Sequence, residues 1–399
     1  MPDQGNPSIP PSIPPSIPAG PVHSSRFRAV VNHGPTVRGR VRSWLFRRRI
    51  GRDPGRVTAA LLAGLILGGI FFRGGVIAYG AENPWTASLY FENDLFTGTD
   101  RNYTNGVKLS MISPDLGVHA QDGRVPRKIL HLIHRLPFIR ESPPEFTHRV
   151  EFSLGQNIFT PKDIVAAGLL VDDRPYAGWT YWAMGYHSKY FEQGKASFMD
   201  TVELQLGMVG PASFAEQAQK LIHNLRGLKQ PNGWENQLDN EPGVVIAYER
   251  KWLWPMRDVW LLDLDAIAHA GGSLGNVSTY LNAGAEFRLG VNIPHDFGVS
   301  LIRPAGSTRL VLDRPWSLFG FVATEGRYVL RDIFLDGNTF SDSHSVNKKA
   351  KVADLAAGVS FSRGAFMVTW SQIIRTPEFS LQDDNHSFSS IMLTFSHPL

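Results

Sequence analysis

From Trp85 onward, apolar and polar positions alternate along the chain. Trp85, Ala87, Leu89 and Phe91 interleave with Thr86, Ser88, Tyr90 and Glu92, and Val107, Leu109 and Met111 interleave with Gly106, Lys108 and Ser110. A period of two puts one set on each face of a β-strand. The pattern returns in Arg149 to Gln156, Gly178 to Tyr190, Thr201 to Val209, Gly243 to Trp252, Asp258 to Ala268 and Asn276 to Val291. Four more segments follow, from Trp316 to Phe334, Lys349 to Phe361, Ala365 to Ile374 and His386 to Phe395. Their lengths of ~9 to 15 residues suit tilted spanning strands better than the ~5 or 6 of soluble sheets. The twelve segments predict an all-β fold, a twelve-stranded antiparallel transmembrane β-barrel.

Aromatic residues at segment ends, Trp85, Tyr103, Trp179, Tyr181, Trp252, Trp254, Trp260, Trp316 and Trp370, fall where a barrel carries its interfacial girdles. A secreted soluble β-domain, the competing fold, would bury them. Short links such as Pro255-Met256 and Ser362-Arg363-Gly364 agree with hairpins. The last segment, Phe388 to Phe395, is similar to the terminal strand that barrel-assembly machinery reads, although Ser396, His397, Pro398 and Leu399 follow it.

The pattern changes to a helical period once, after Gly210-Pro211. Ser213 with Glu216 three residues later has the form of a capping box, and the helix is expected to run to about Arg226. Phe214, Ala218, Leu221, Ile222 and Leu225 form its apolar face, and Glu216, Gln219, His223 and Arg226 its polar one. The apolar face is expected to pack on a neighbouring loop or on lipid. The chain is thus a barrel with one short helix in an outer loop.

Charge is segregated. Residues 1–80 hold eleven Arg against Asp3 and Asp53, leaving 29 basic and 34 acidic residues elsewhere, so the basic pI carries no suggestion of nucleic acid. The Pro/Ser/Arg-rich stretch 1–56 is expected to be a disordered leader, because it has too little apolar surface to offset chain entropy. Residues 57–80 read as the apolar region of a signal peptide cleaved near Gly80, because the apolar run from Val57 to Phe72 is shorter than the ~20 residues of a spanning helix and rich in Gly. Residues 81–399 are the exported barrel domain. Cysteine is absent, which excludes a thiolate nucleophile, a disulfide framework and Cys-ligated metals.

Three clusters carry chemistry. Asn93, Asp94, Asp100 and Thr104 gather oxygen atoms in the first turn; they suit Ca²⁺ or Mg²⁺, and they equally suit a turn with no ligand. Asp94 and Thr104 share the polar parity of their strands, which places them on one face of the sheet if no bulge intervenes. His223 is a candidate general base held by the helix one turn after Gln219, or else a solvated surface histidine. In Asp172-Asp173-Arg174-Pro175 the arginine either pairs with a neighbouring aspartate or stays open for a phosphate or carboxylate. Gly271-Gly-Ser-Leu-Gly275 has the G-x-S-x-G spacing of serine hydrolases but leads into no helix, so Ser273 is expected at a hairpin tip.

In their order along the chain these motifs resemble the outer-membrane lipid A 3′-O-deacylase family. The resemblance rests on Asn93-Asp94, Asp100-Arg101, Tyr103-Thr104 with Gly106, Gln156 and Pro161, Asp173-Arg174, Gly210-Pro211, Gln219-x-x-x-His223, and Trp234 with Gln237. It implies an active site between the barrel wall and an outer-loop helix, hydrolysing the 3′-linked acyl chains of lipid A in lipopolysaccharide, among outer-membrane lipids. It further implies His223 as base, Asp94 and Asn93 supporting Ca²⁺ or the attacking water, Thr104 at the ester or ion, and Gln219 in support. A family lysine is matched loosely by Lys162, with Arg174 or Arg101 as the other phosphate contacts. An outer-membrane phospholipase and a non-catalytic pore or adhesin are the alternatives.

Overall fold

The computed structural model describes residues 84–94, 102–116, 146–190, 196–256, 262–299, 301–307 and 314–397. The leader, the signal-peptide region, Asp100, Arg101 and Trp260 lie outside them.

Twelve antiparallel strands close into a barrel in simple up-and-down order, each paired with its neighbours in sequence and the first with the last. They are β1 (Trp85–Asn93), β2 (Asn102–Ile112), β3 (Phe146–Thr160), β4 (Ala177–Tyr190), β5 (Ser197–Val209) and β6 (Glu241–Pro255), then β7 (Asp263–Gly275), β8 (Ser278–Val291), β9 (Trp316–Asp332), β10 (Lys351–Arg363), β11 (Phe366–Arg375) and β12 (His386–His397). Among the described residues two α-helices, α1 (Ala215–Arg226) and the short α2 (Ile333–Asp336), follow β5 and β9. No described helix is long and apolar enough to cross a membrane. Closure leaves no unpaired edge, which is what permits strands to stand in lipid.

The alternation sorts side chains into an apolar outside and a charged inside. On β6, Val244, Ile246, Tyr248 and Trp254 are exposed while Glu249 and Lys251 are buried. Inside, Lys108 meets Glu151 at 3.1 Å, Glu151 meets His187 at 3.1 Å, and Arg288 reaches Asp265 at 2.6 Å. A water-soluble sandwich would show the reverse, so the burial pattern discards that alternative.

The segment after β8 folds back into the lumen. Ile302 donates its N–H to Glu92, Ser307 donates to Glu151, and Arg303 binds Glu249 at 2.7 Å. Phe297 packs with Ile112, Met199, Leu253 and Ile267. One inserted loop therefore engages carboxylates of β1, β3 and β6.

Several expectations change. Tyr103, Trp179 and Tyr181 belong to no girdle; they are buried and line a lumenal cavity of about 120 Å³. Ser273 lies within β7, its hydroxyl donating to the Ser278 carbonyl, and the hairpin turns beyond Gly275. The predicted capping box does not form. Phe214 is the N-cap of α1 at φ 58°, Ser213 Oγ donates to the Gly210 carbonyl, and Glu216 instead pairs with Lys220. The Gly210-Pro211 entry first makes a 3₁₀ turn (Pro211–Ser213), and that turn takes Ser213 out of capping position.

Candidate active site

Because neighbouring strands run in opposite directions, the end of β1, the starts of β2, β4 and β6 and the ends of β3 and β5 all lie at one rim of the barrel. The first turn and helix α1 are consequently at the same end, although Asp94 and His223 are far apart in sequence.

At that rim the outer wall turns polar. Asn93 continues the outward parity of Leu89 and Phe91, yet it is only 3 % exposed where Leu89 is 38 %. Asn105 faces it across the β1–β2 pair and is also buried. The register slips between Tyr103 and Asn105, a β-bulge at Thr104. The condition for the expected shared face of Asp94 and Thr104, strands without a bulge, therefore fails, and strand parity no longer relates the two. The bulge sends Tyr103 inward, where its hydroxyl donates to Glu92 at 2.8 Å, and turns Thr104 to the other side, where its hydroxyl lies 2.6 Å from that of Thr160. Thr160 shares the outward parity of Ile158, Gln156 and exposed Leu154. Asp94, fully buried just past β1, donates its N–H to the Thr104 carbonyl.

Helix α1 packs on β3 and β4 at this rim from outside the barrel. Ile158, Ile164, Tyr176, Ala215 and Trp234 form one apolar cluster, with Ala218 against it. Gln156 and Thr180 both donate to the Ser213 carbonyl, at 2.7 Å each, so two outward side chains fasten the turn preceding the helix. Gly178 makes the approach possible: a Cβ there would lie 2.1 Å from Ser213 Oγ and 2.3 Å from Ala215 Cβ.

The face that α1 presents inward is the polar one. Ala215, Gln219 and His223 are its buried residues, whereas Phe214, Leu221 and Leu225 are exposed. Packing of the whole apolar face on a loop, one of the two expected arrangements, does not occur. Gln219 Oε1 accepts from the Trp234 indole at 2.8 Å, and His223 Nδ1 lies 2.5 Å from the Lys229 carbonyl. A carbonyl can only accept, so Nδ1 carries the proton and the neutral ring keeps its lone pair on Nε2. Gly227, at φ 64°, ends the helix and brings the chain back to set that carbonyl.

Asp173 and Arg174 part company. The Asp173 carboxylate accepts from the backbone N–H groups of Lys162 and Arg174, which ties the loop after β3 to itself. The Arg174 guanidinium passes inward, binds Glu378 at 3.0 Å and lies over Phe159 and Phe379. Buried there, it is neither the partner of a neighbouring aspartate nor open to an outer phosphate. Lys162 is exposed two residues beyond Thr160. Burial raises the Glu378 carboxyl, but Arg174 and Arg375 outweigh it and hold the group below its usual range.

Two places bear on a metal. Among the described residues, Glu249, His269 and Glu325 are close enough to share an ion. Arg303 already bridges both of these carboxylates, so a guanidinium supplies the cation and the fit to a divalent metal is poor. At the rim, Asp94, Asn93 and Thr104 offer buried hard oxygens of the type Ca²⁺ takes, with a single carboxylate among them.

Sequence reasoning missed Thr160, Gly178 and the Lys229 carbonyl. Thr160 and Gly178 act through close approach of distant segments, and the carbonyl belongs to a backbone that carries no residue signature.

A family model described as outer membrane protein LpxR matches residues 61–397. The solved structure of LpxR from Salmonella typhimurium superposes with a TM-score of 0.60 at 16 % identity, covering 78 % of this chain and 99 % of that one. The β-domain of the Bordetella autotransporter Brka gives a TM-score of 0.41 at 9 % identity, over 79 % of this chain and 100 % of its own. No curated protein matches the sequence.

Proposed function

Given that the chain belongs to the LpxR family of outer-membrane proteins, we propose that it is an ester hydrolase that removes 3′-linked acyl chains from lipid A in the outer leaflet. One juxtaposition supports the reading. The buried polar groups Asn93, Asp94 and Thr104 belong to the same barrel rim from which the chain enters α1, the helix that carries buried His223, beyond the exposed apolar surface of Leu89 and Leu154. A lipid already in the membrane reaches such a site with its acyl chain along the wall and its ester at the rim. The lumen offers no comparable access, and its plug weighs against an open pore.

His223 accepts a proton at Nε2 from a water, and that water attacks the ester carbonyl. The Lys229 carbonyl keeps Nδ1 protonated and shares the positive charge of the imidazolium that forms. Collapse of the tetrahedral adduct returns the proton to the sugar oxygen, releasing a fatty acid and a free hydroxyl. Asn93 and Asp94 orient the water, and Thr104, fixed by Thr160, contacts the ester. Trp234 holds Gln219 and with it the helix. Ca²⁺ held by Asp94, Asn93 and Thr104 would polarise the carbonyl and favour negative charge on its oxygen. Lys162, exposed at the rim, is the contact left for a lipid A phosphate once Arg174 is buried.

The test is mass spectrometry of lipid A from cells making the protein, its His223→Ala variant or its Asp94→Ala variant. The active protein removes the mass of the 3′ acyl group. Each variant should lose activity by about 10²- to 10⁴-fold, the usual worth of a general base, while migrating as a folded, heat-modifiable barrel. Full activity in both variants, or release of fatty acid from phospholipid with lipid A untouched, refutes the assignment.

A further inference from the structure

The proposed reading puts α1 over the site but leaves its large apolar residues exposed, Phe214 at 65 %, Leu221 at 59 % and Leu225 at 78 %. At about 100° per residue, Ala218, Leu221, Ile222 and Leu225 form a stripe along one flank of the line from Ala215 to His223 that rests on the wall, while Glu216 and Lys220 take the other flank. The helix therefore lies on the barrel with one oily side and one charged side.

A second loop extends the oily side. Val165, Leu169 and Val171 are also exposed, at 44 %, 46 % and 67 %. Their segment is fastened to the chain after α1: Asn232 donates to the Val165 carbonyl, Asn236 donates to the Ala167 carbonyl, and the Asn232 N–H donates to the Ile164 carbonyl. These bonds join the two loops. Both are anchored on β3 and β4, whose outer faces carry exposed Leu154 and Trp182 below the anchoring Gln156 and Thr180. The apolar rim is thus continuous with the lipid-facing surface of the barrel.

We propose that this flank, Leu221 and Leu225 with Phe214 and the Val165–Val171 segment, is a membrane-docking surface embedded among the outer-leaflet acyl chains. An amphipathic helix with basic residues beside an apolar stripe lies in this way at a bilayer interface, and α1 ends in Arg226 with Lys229 just beyond it. Embedding holds the mouth beneath α1 at acyl-chain depth, so a lipid enters from the side without leaving the bilayer. The inference rests on the location of the site in the proposed function, but its test does not depend on hydrolysis.

The chain has no cysteine, so each introduced thiol is unique. Spin labels are placed at Leu225→Cys and Leu221→Cys, with Leu154→Cys on the barrel wall as lipid reference and Gln217→Cys on α1 as aqueous reference. The labelled full-length barrels are reconstituted into phosphatidylcholine vesicles, and collision with oxygen, which concentrates in lipid, is compared with collision with a water-soluble nickel chelate. Labels at 221 and 225 should match 154 in favouring oxygen, while 217 favours nickel. Nickel access at 221 and 225 equal to that at 217 overturns the proposal. So does dipolar broadening at 225 that grows with the protein-to-lipid ratio while both reagents are excluded, because a second copy would then cover the flank. A Leu221→Gln/Leu225→Gln variant gives a second readout: a raised KM on vesicle-embedded lipid with kcat retained supports docking, and an unchanged KM opposes it.

Discussion

Gly178→Ala is the substitution that most directly probes the roofed site. The added methyl carbon would sit 2.1 Å from Ser213 Oγ and 2.3 Å from Ala215 Cβ, where an ordinary contact begins near 3.4 Å. Ser213 can rotate its hydroxyl, but the Ala215 Cβ moves only with the helix. The start of α1 must retreat by roughly 1 Å, at an overpacking cost of about 1–3 kcal/mol. A displacement of that size at a reacting group costs about 10²-fold in rate. The barrel should be unaffected, since the backbone of Gly178 keeps its place in the β3–β4 ladder. Gly168→Ala is the control, because a Cβ there meets nothing within 4 Å. The assay is initial rate of fatty-acid release from lipid A in detergent micelles, with heat-modifiable migration as the measure of folding. Wild-type kcat in Gly178→Ala would show that the helix position is immaterial to catalysis, and the site as built here would be wrong.

Removing divalent ions with EDTA should suppress hydrolysis and Ca²⁺ restore it; a full rate in metal-free protein removes the ion from the scheme. Glu378 has a lowered folded-state pKa, so its pairing with Arg174 contributes fully above the ordinary carboxylate range and is lost as pH falls through the lowered value. An acid titration of barrel stability should therefore show a low-pH limb that is blunted in Glu378→Gln, and identical limbs would contradict the pairing. Glu378→Gln should also destabilise at neutral pH by about 3–5 kcal/mol, leaving Arg174 buried without its carboxylate. Arg303→Met removes the cation between Glu249 and Glu325 and should lower the thermal midpoint while leaving lipid A hydrolysis intact, because the plug is inside and the site outside. Loss of activity in a folded Arg303→Met barrel would place the chemistry in the lumen.

By itself the sequence determined the twelve strands, their closure into a barrel and the helix between β5 and β6, since a period of two and its single interruption are local properties that each segment displays unaided. It also supplied the chemistry-bearing residues, Asn93, Asp94, Thr104, Gln219 and His223, as types. Only the tertiary structure decided which way they face. The bulge at Thr104 reverses a parity that alternation would have continued, because one extra residue shifts every side chain beyond it. The Arg174 guanidinium goes to Glu378, 204 residues away, and so abandons the adjacent aspartate. Helix α1 turns Gln219 and His223 inward, against the usual rule for amphipathic helices, because the Trp234 indole and the Lys229 carbonyl meet them there and Gly178 leaves a gap for Ala215. Such choices depend on what lies opposite each residue, and that is set by the packing of segments far apart in the chain.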